Sequence, residues 1–229
     1  MCSRGRHFDR EIIILCVRWY LTYKLRSRDL VQMMAERGIE VTHTTILRWV
    51  QRFVPEFEKR WSQYSRPVGR SWHCDETYIK VKGWWAYLYR AVDKLGRTVD
   101  FLLSERRDVA AAKRFFSEAM KKHGTPQVIT LDAYTASHRA ITELQSMGTI
   151  ARRVGIRSCR YLNNVVEQDH RRIKQRVRPM LGFKRFDTAT ITISDIELAE
   201  KIRKHQFRIG TLPGRPVGAP DIWAAVLAA

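Results

Sequence analysis

Between Ser71 and Ser104 the chain reads "SWHCDETYIKVKGWWAYLYRAVDKLGRTVDFLLS", and this stretch constrains the fold most. Period-two alternation in "WHCDETYIKVKG" predicts a strand ending at Gly83, "WWAYLYRAVDKLG" a second ending at the turn Lys94 to Gly96, and "TVDFLLS" a third. Three consecutive strands joined this tightly make an antiparallel meander. A helix is expected from about Asp108 to His123, then a short buried-type strand "QVITL" and a helix near Ser137 to Met147. A variable region leads to a late helix carrying Glu167.

That order of elements is the one the ribonuclease H-like fold uses, an α/β mixed sheet flanked by helices. Asp75 then lies in the first strand and Asp132 immediately follows "VITL". In open sheets sites form at the carboxyl ends of strands, so neighbouring first and fourth strands would bring the two aspartates together. The late helix could supply Glu167 from above. Three converging carboxylates repel unless a cation sits between them. Mg²⁺ suits such a site, because it prefers oxygen ligands and accepts substrate phosphate oxygens. Two ions roughly 3.5 to 4 Å apart can activate an attacking oxygen and stabilise a leaving one, and Mn²⁺ could substitute.

Ahead of the strands the pattern is helical. Ile13, Cys16, Val17, Tyr20 and Leu21 mark a first helix from Asp9 to about Tyr23. A second fits Ser27 to Arg37, capped by Ser27 and closed by Gly38. The third starts at the cap Thr42, carries Ile46, Trp49, Val50 and Phe53 on one face, and is expected to stop at Pro55. Two helices joined by a short glycine-containing turn match a helix-turn-helix, whose reading helix would present His43, Thr44 and Arg48 to base edges. The alternative is an ordinary three-helix bundle with Thr44 and Arg48 merely solvated. "PEFEKRWSQYSRPVGR" then reads as a helix tail and linker. The expected division is a helix-turn-helix domain over 1–65, a ribonuclease H-like catalytic domain over 66–205, and a tail over 206–229 with no assigned chemistry.

On the late helix, steps of three and four residues place Glu167, His170 or Arg171, Lys174 and Arg178 on one stripe. Such a stripe can be a solvated face, with Glu167 paired to Arg171. The whole chain favours another reading: 42 Lys and Arg against 23 Asp and Glu give a net charge of +19 and a pI near 10.3. An excess of that size calls for a polyanionic partner, and nucleic acid leads. No apolar run reaches the roughly 18 to 20 residues a membrane span needs, and "EIIILCVRWYLTY" is interrupted by Arg18, so a soluble cytoplasmic protein is expected. Cys2, Cys16, Cys74 and Cys159 form no CxxC pair, which indicates neither a zinc ribbon nor a disulfide framework.

"WHCDETYIKVKGWWAYLYRAVDKLGRTVDFLLSERRD", "ITLD" and "NNVVEQDHRRIKQRVRPMLGFK" together resemble the DDE transposases of bacterial insertion sequences, specifically the IS-six family. The similarity runs from about residue 5 to about residue 205. Three features are specific in combination: "DET" after a Trp-His pair, the 34 residues between Asp132 and Glu167, and the basic Lys174 seven positions after the glutamate. The resemblance implies that Asp75, Asp132 and Glu167 are the catalytic, metal-binding triad and that Lys174 contacts the transposon end. It implies double-stranded DNA as partner, both element ends and target, and action in the bacterial cytoplasm, associated with the nucleoid. It also implies a replicative outcome and no membrane role. A homodimer or higher oligomer is expected because two ends must be joined in one complex. Some better-known relatives carry a lysine directly after the second aspartate, where this chain has Ala133.

Other residues carry blander expectations. Glu76 points to the face opposite Asp75 and suits a surface or ion-pair role. Asp93 and Asp100 lie at strand ends, where turn and edge roles are common. His73 shares a face with Asp75, but a hard Mg²⁺ site argues against a His ligand. Trp84 and Trp85 are expected in core and surface packing rather than as base-stacking platforms, and Asn163 and Asn164 as caps of the Glu167 helix. Against the transposase stand an inactive copy or non-catalytic DNA-binding regulator, which needs no triad, and a plain nuclease, which needs no end-reading module.

Overall fold

The computed structural model describes residues 8–132, 135–158, 164–208, 210 and 218–228. In chain order the elements are α1 (Arg10–Thr22), α2 (Ser27–Ala35), α3 (His43–Ser62), β1 (Ser71–Val81), β2 (Trp84–Asp93), β3 (Thr98–Ser104) and α4 (Val109–His123). They continue with β4 (Val128–Leu131), α5 (Thr135–Ser146), β5 (Gly155–Ser158), α6 (Asn164–Val177), a 3₁₀ turn (Arg178–Met180), α7 (Phe186–Arg203) and α8 (Ala219–Ala228). The chain splits into two compact units: Met1–Ser65 with Arg178–Leu181 and Asp187–Ala229, and Arg66–Val177 with Gly182–Phe186. This differs from the linear division, because residues 187–205 cluster with the N-terminal helices instead of the strands.

The first unit is helical. Cys16, Val17, Leu30, Met34, Ile46, Val50 and Trp61 form its buried centre. Thr42 caps α3, its hydroxyl accepting the Thr45 N–H at 3.2 Å. At α2 the cap falls one residue earlier than expected: Arg26 is the cap position, and the Asp29 carboxylate accepts its N–H at 2.7 Å. Gly38, at φ +72°, turns the chain out of α2. Pro55 does not stop α3. It forfeits one backbone hydrogen bond, but Phe57 and Trp61 continue the buried stripe of Val50 and Val54 beyond it and hold the helix to Ser62. Neither α7 nor α8 was legible in the sequence. Trp223 of α8 packs edge-on against Phe57 and Trp61 of α3, with ring centroids 6.1 and 5.7 Å apart.

Asp195 of α7 is buried, and neither of its carboxylate oxygens has a hydrogen-bond partner among the described residues. Burial, and then the charge of Glu58, push its carboxyl well above the ordinary aspartate range. The folded unit therefore keeps this proton to higher pH than the unfolded chain, whose aspartates release it near about 3.9. Stability from this group is full at low pH and declines as pH rises from about 4 toward the raised folded value. Asp195→Asn should raise the thermal midpoint more at pH 7 than near pH 4, measured by circular dichroism. An equal shift at both pH values would contradict a buried, protonated Asp195.

The second unit holds a five-stranded sheet in the order β3-β2-β1-β4-β5. β1, β2 and β3 pair antiparallel, whereas β4 pairs parallel with β1 and β5 parallel with β4. This is the ribonuclease H-like arrangement expected from the order of elements, with β5 as an addition. At the first hairpin Lys82 (φ 51°) and Gly83 (φ 83°) are both left-handed, the geometry of a two-residue turn matched to strand twist. Trp72, Cys74, Tyr89 and Ile129 meet Phe115 and Phe116 of α4 and Ile141 of α5 in one core. α6 packs against β1 and β2. Because side chains alternate along β1, it covers the face opposite that core, the face on which Asp75 lies.

Cys16 and Cys74 are free, buried thiols, and burial raises that of Cys16 to about 11. Cys2 and Cys159 lie outside the described residues. Among the described residues no helix is long and apolar enough to cross a membrane.

Candidate active site

The register between β1 and β4 sets the site. Cys74 pairs with Leu131, so the next residues along the two strands are Asp75 and Asp132. Parallel neighbours run about 4.8 Å apart, which places both aspartates side by side at the carboxyl end of β4. The Asp132 carbonyl oxygen lies 3.1 Å from His138 Nε2 of α5, which donates to it and steadies the chain leaving the strand.

α6 is fixed over this edge by two polar contacts. His170 Nε2 lies 3.3 Å from Asp75 Oδ2, close but without hydrogen-bond geometry, and the ring is buried. Arg90 of β2, the cross-strand partner of Asp75, sends its guanidinium to Asp169 at 2.9 Å, and the arginine is 0% exposed. Val166 and Ile173 complete the buried side of the helix. Glu167 stands one turn before His170 and is exposed, as are Arg171 and Lys174. The structure thus aligns Asp75 with Asp132 and puts Glu167 a helical turn from a residue touching Asp75. It does not draw the three into one cluster: among the described residues no group of three His, Cys, Asp or Glu side chains is close enough to share a metal ion.

Two expectations for the helix change. Arg178 does not share the stripe of Glu167, because α6 ends at Val177 and Arg178 begins the 3₁₀ turn. Pro179 has no N–H to continue the α-helical ladder. His170 faces the sheet rather than solvent. Arg90 and Asp169 were missed altogether, although a lone arginine inside "AYLYRAVD" is a readable signal of a buried pair.

The neighbouring acids have structural partners. Glu76 pairs with Arg107 at 3.0 Å and accepts a short hydrogen bond from the Ser137 hydroxyl. Asp93 accepts the N–H groups of Gly69, Leu95 and Arg97, a turn role. Asp100 pairs with Lys122 at 2.9 Å. His73 Nδ1 is buried without a hydrogen-bond partner among the described residues. Of the proposed base-reading residues, His43, Thr44 and Arg48 are exposed in the first half of α3. Ala133 and Asn163 lie outside the described residues, and α6 starts at Asn164.

A family model described as a DDE domain matches residues 69–206. The transposase for insertion sequence-like element IS431mec of Staphylococcus aureus (strain Mu50) is 35% identical over 205 residues, covering 90% of each chain. The transposase for insertion sequence element IS257 in transposon Tn4003 of S. aureus matches at the same 35% identity and 90% coverage of each chain. Among solved structures, the HTLV-2 integrase catalytic core domain in complex with magnesium (trimeric form) is a distant neighbour. It shows 16% identity and a TM-score of 0.46 over 64% of this chain and 92% of that one.

Proposed function

The chain belongs to the DDE transposases of the IS-six family of insertion sequences, and on that footing we propose that Asp75, Asp132 and Glu167 are its catalytic carboxylates. The observation that carries this assignment is the β1–β4 register, which leaves Asp75 and Asp132 as neighbours at the carboxyl end of β4, on the sheet that α6, the helix of Glu167, packs against. Transposases with this domain depend on a divalent metal ion. Three carboxylates are hard oxygen donors, which favours Mg²⁺ with Mn²⁺ as substitute, and the donor set fits. When bound, two such ions supply charge stabilisation to the attacking and leaving oxygens of phosphoryl transfer.

The chain's own residues do the rest. The buried His170 ring lies against one oxygen of Asp75 and limits where that carboxylate can swing. Arg90 and Asp169 fix the axial position of α6, and with it the height of Glu167 above the sheet edge. The residues over 27–54 act as a helix-turn-helix that reads the terminal inverted repeats, with His43, Thr44 and Arg48 toward the bases. Hydrolysis at an element end releases a 3′-hydroxyl, and that hydroxyl displaces a bridging oxygen in target DNA, joining the strands without a covalent protein intermediate. At least two copies act together, since two ends are processed, and the outcome is replicative. The protein works in the bacterial cytoplasm on nucleoid DNA.

A supercoiled plasmid with or without one element end tests the reading. Cleavage confined to the end-bearing plasmid supports a transposase, cleavage of both a plain nuclease, and binding without cleavage a regulator.

Lys174 is exposed one turn beyond His170 and should neutralise a backbone phosphate. Lys174→Ala is expected to weaken binding to all duplexes alike and to flatten the log–log salt dependence by about 0.9. An unchanged slope in a salt titration would return Lys174 to a solvated helix face. Arg178, off the helix, needs its own titration.

A further inference from the structure

The first β-hairpin ends in an aromatic surface that the active site does not use. Trp84 is 80%, Trp85 61% and Tyr78 47% exposed. Such rings normally seek burial, and here they are displayed at a tight turn. Tyr78 and Trp85 are held in place by neighbours. Tyr78 stacks edge-on against Trp85 and Tyr87, with centroids 6.0 and 5.9 Å apart. Cations hold them in turn: Lys80 Nζ lies 5.9 Å from the Trp85 ring and Lys174 Nζ 6.0 Å from the Tyr78 ring. Lys82 lies in the turn itself, and from Tyr78 to Tyr87 there is no acidic residue.

Aromatic faces interleaved with cations, and no anion, match one class of ligand. Every base has a π-face that stacks on an aromatic ring whatever its identity, and lysines track the phosphates between bases. A second copy of this chain fits poorly, because a two-fold contact through the hairpin would set lysines against lysines. Trp84 pairs with Val81 and so lies on the sheet face of Asp75, six residues along β1, or about 20 Å at strand rise, whereas Trp85, opposite Lys80, shares the other face with Tyr78, so the rings flank the hairpin tip on both sides. Lys174, on the helix of Glu167, links the two places. A strand leaving the active site along the Asp75 face therefore meets Trp84 first, and Trp85 and Tyr78 only on passing round the hairpin tip.

We propose that the tip of the β1–β2 hairpin, Tyr78, Trp84 and Trp85 among Lys80, Lys82 and Lys174, is a docking surface for single-stranded DNA that stacks unpaired bases. Its place in the reaction, holding a strand opened at an element end, rests on the transposase reading; the binding chemistry does not. A double-stranded helix keeps its base faces covered, so the rings discriminate against it.

The test uses the full chain, a fluorescent mixed-sequence single strand and its blunt duplex, with no element end and no metal. Trp84→Ala with Trp85→Ala should weaken single-strand binding about tenfold and duplex binding less than about twofold, while Trp84→Tyr with Trp85→Tyr restores it. Lys80→Ala with Lys82→Ala should flatten the single-strand salt slope by about 1.4, or 0.7 per cation. Equal affinity of the alanine variant and wild type for the single strand would overturn the proposal. So would equal loss for single strand and duplex, or a shift of the alanine variant's sedimentation toward a smaller oligomer in the absence of DNA. Because the assay involves neither ends nor cleavage, a failure to cut element ends would leave it standing, and the converse also holds.

Discussion

Asp75→Asn and Glu167→Gln are each expected to lower strand cleavage at element ends about a thousandfold, the rate equivalent of several kcal/mol of lost charge stabilisation. Affinity for those ends should stay within about twofold, since each change keeps the side chain's shape and the proposed end-reading contacts lie on α3 and at Lys174. The measurement pairs a cleavage time course in Mg²⁺ with a binding isotherm. Glu76→Gln is the control: it sits next to Asp75 but on the opposite face, engaged with Arg107 and Ser137. Its cleavage should remain near the wild-type rate. Near-normal cleavage by either triad variant would remove that residue from the catalytic set, and loss of binding alongside cleavage would show a folding defect instead.

The second large effect concerns stability. Arg90→Met strips the Asp169 carboxylate of a guanidinium 2.9 Å away in a setting where neither side chain is more than 9% exposed. Removing one partner of a buried ion pair costs about 3–5 kcal/mol, because the remaining charge stays desolvated. Replacing both, as Arg90→Met with Asp169→Leu, should cost far less than the sum of the singles. Urea unfolding followed by circular dichroism reads this directly. A loss below about 1 kcal/mol for Arg90→Met would mean that α6 is held mainly by Val166 and Ile173. The pair was not anticipated, yet it stands next to the proposed chemistry, with Arg90 across from Asp75 and Asp169 two residues after Glu167.

How far the sequence could be read depended on how each segment is buried. The meander was legible because apolar and β-branched residues run through all three strands, partly alternating in burial along β1, and because Lys82–Gly83 and Gly96 punctuate it. From that meander and "QVITL" followed the adjacency of β1 and β4, and with it the pairing of Asp75 and Asp132. α7 was illegible for the opposite reason. Its buried residues include Thr192, Ile193, Asp195, Ile196, Glu197 and Leu198, a run on several sides that leaves no periodic stripe. β5 offers only "GIRS", too short to alternate visibly. Pro55 was given more weight than the apolar positions after it. On α6 the i+3 and i+4 rows diverge, so spacing alone could not decide that His170 turns to Asp75 while Arg171 stays in water. The exposure of Trp84 and Trp85 was beyond any local pattern, since a tryptophan pair reads the same whether covered or displayed.

The helical unit is built from segments far apart in the chain. Phe57 and Trp61, made early, close on Phe207 and Trp223, made late. During translation, residues 1–65 must wait for more than 100 further residues before their aromatic faces find a cover. At about 5–20 residues per second that delay is on the order of ten seconds. Throughout it the α/β unit, whose segments lie almost wholly between the two halves of the helical one, can already fold. The helical unit, begun first, can therefore be completed only after every segment of the α/β unit has been made: the unit proposed to cut strands is able to close before the unit proposed to read element ends. A polypeptide interrupted after α6 would carry the carboxylates of the first without the completed helices of the second. Commitment to an element's own ends would then be acquired only in the final stage of translation.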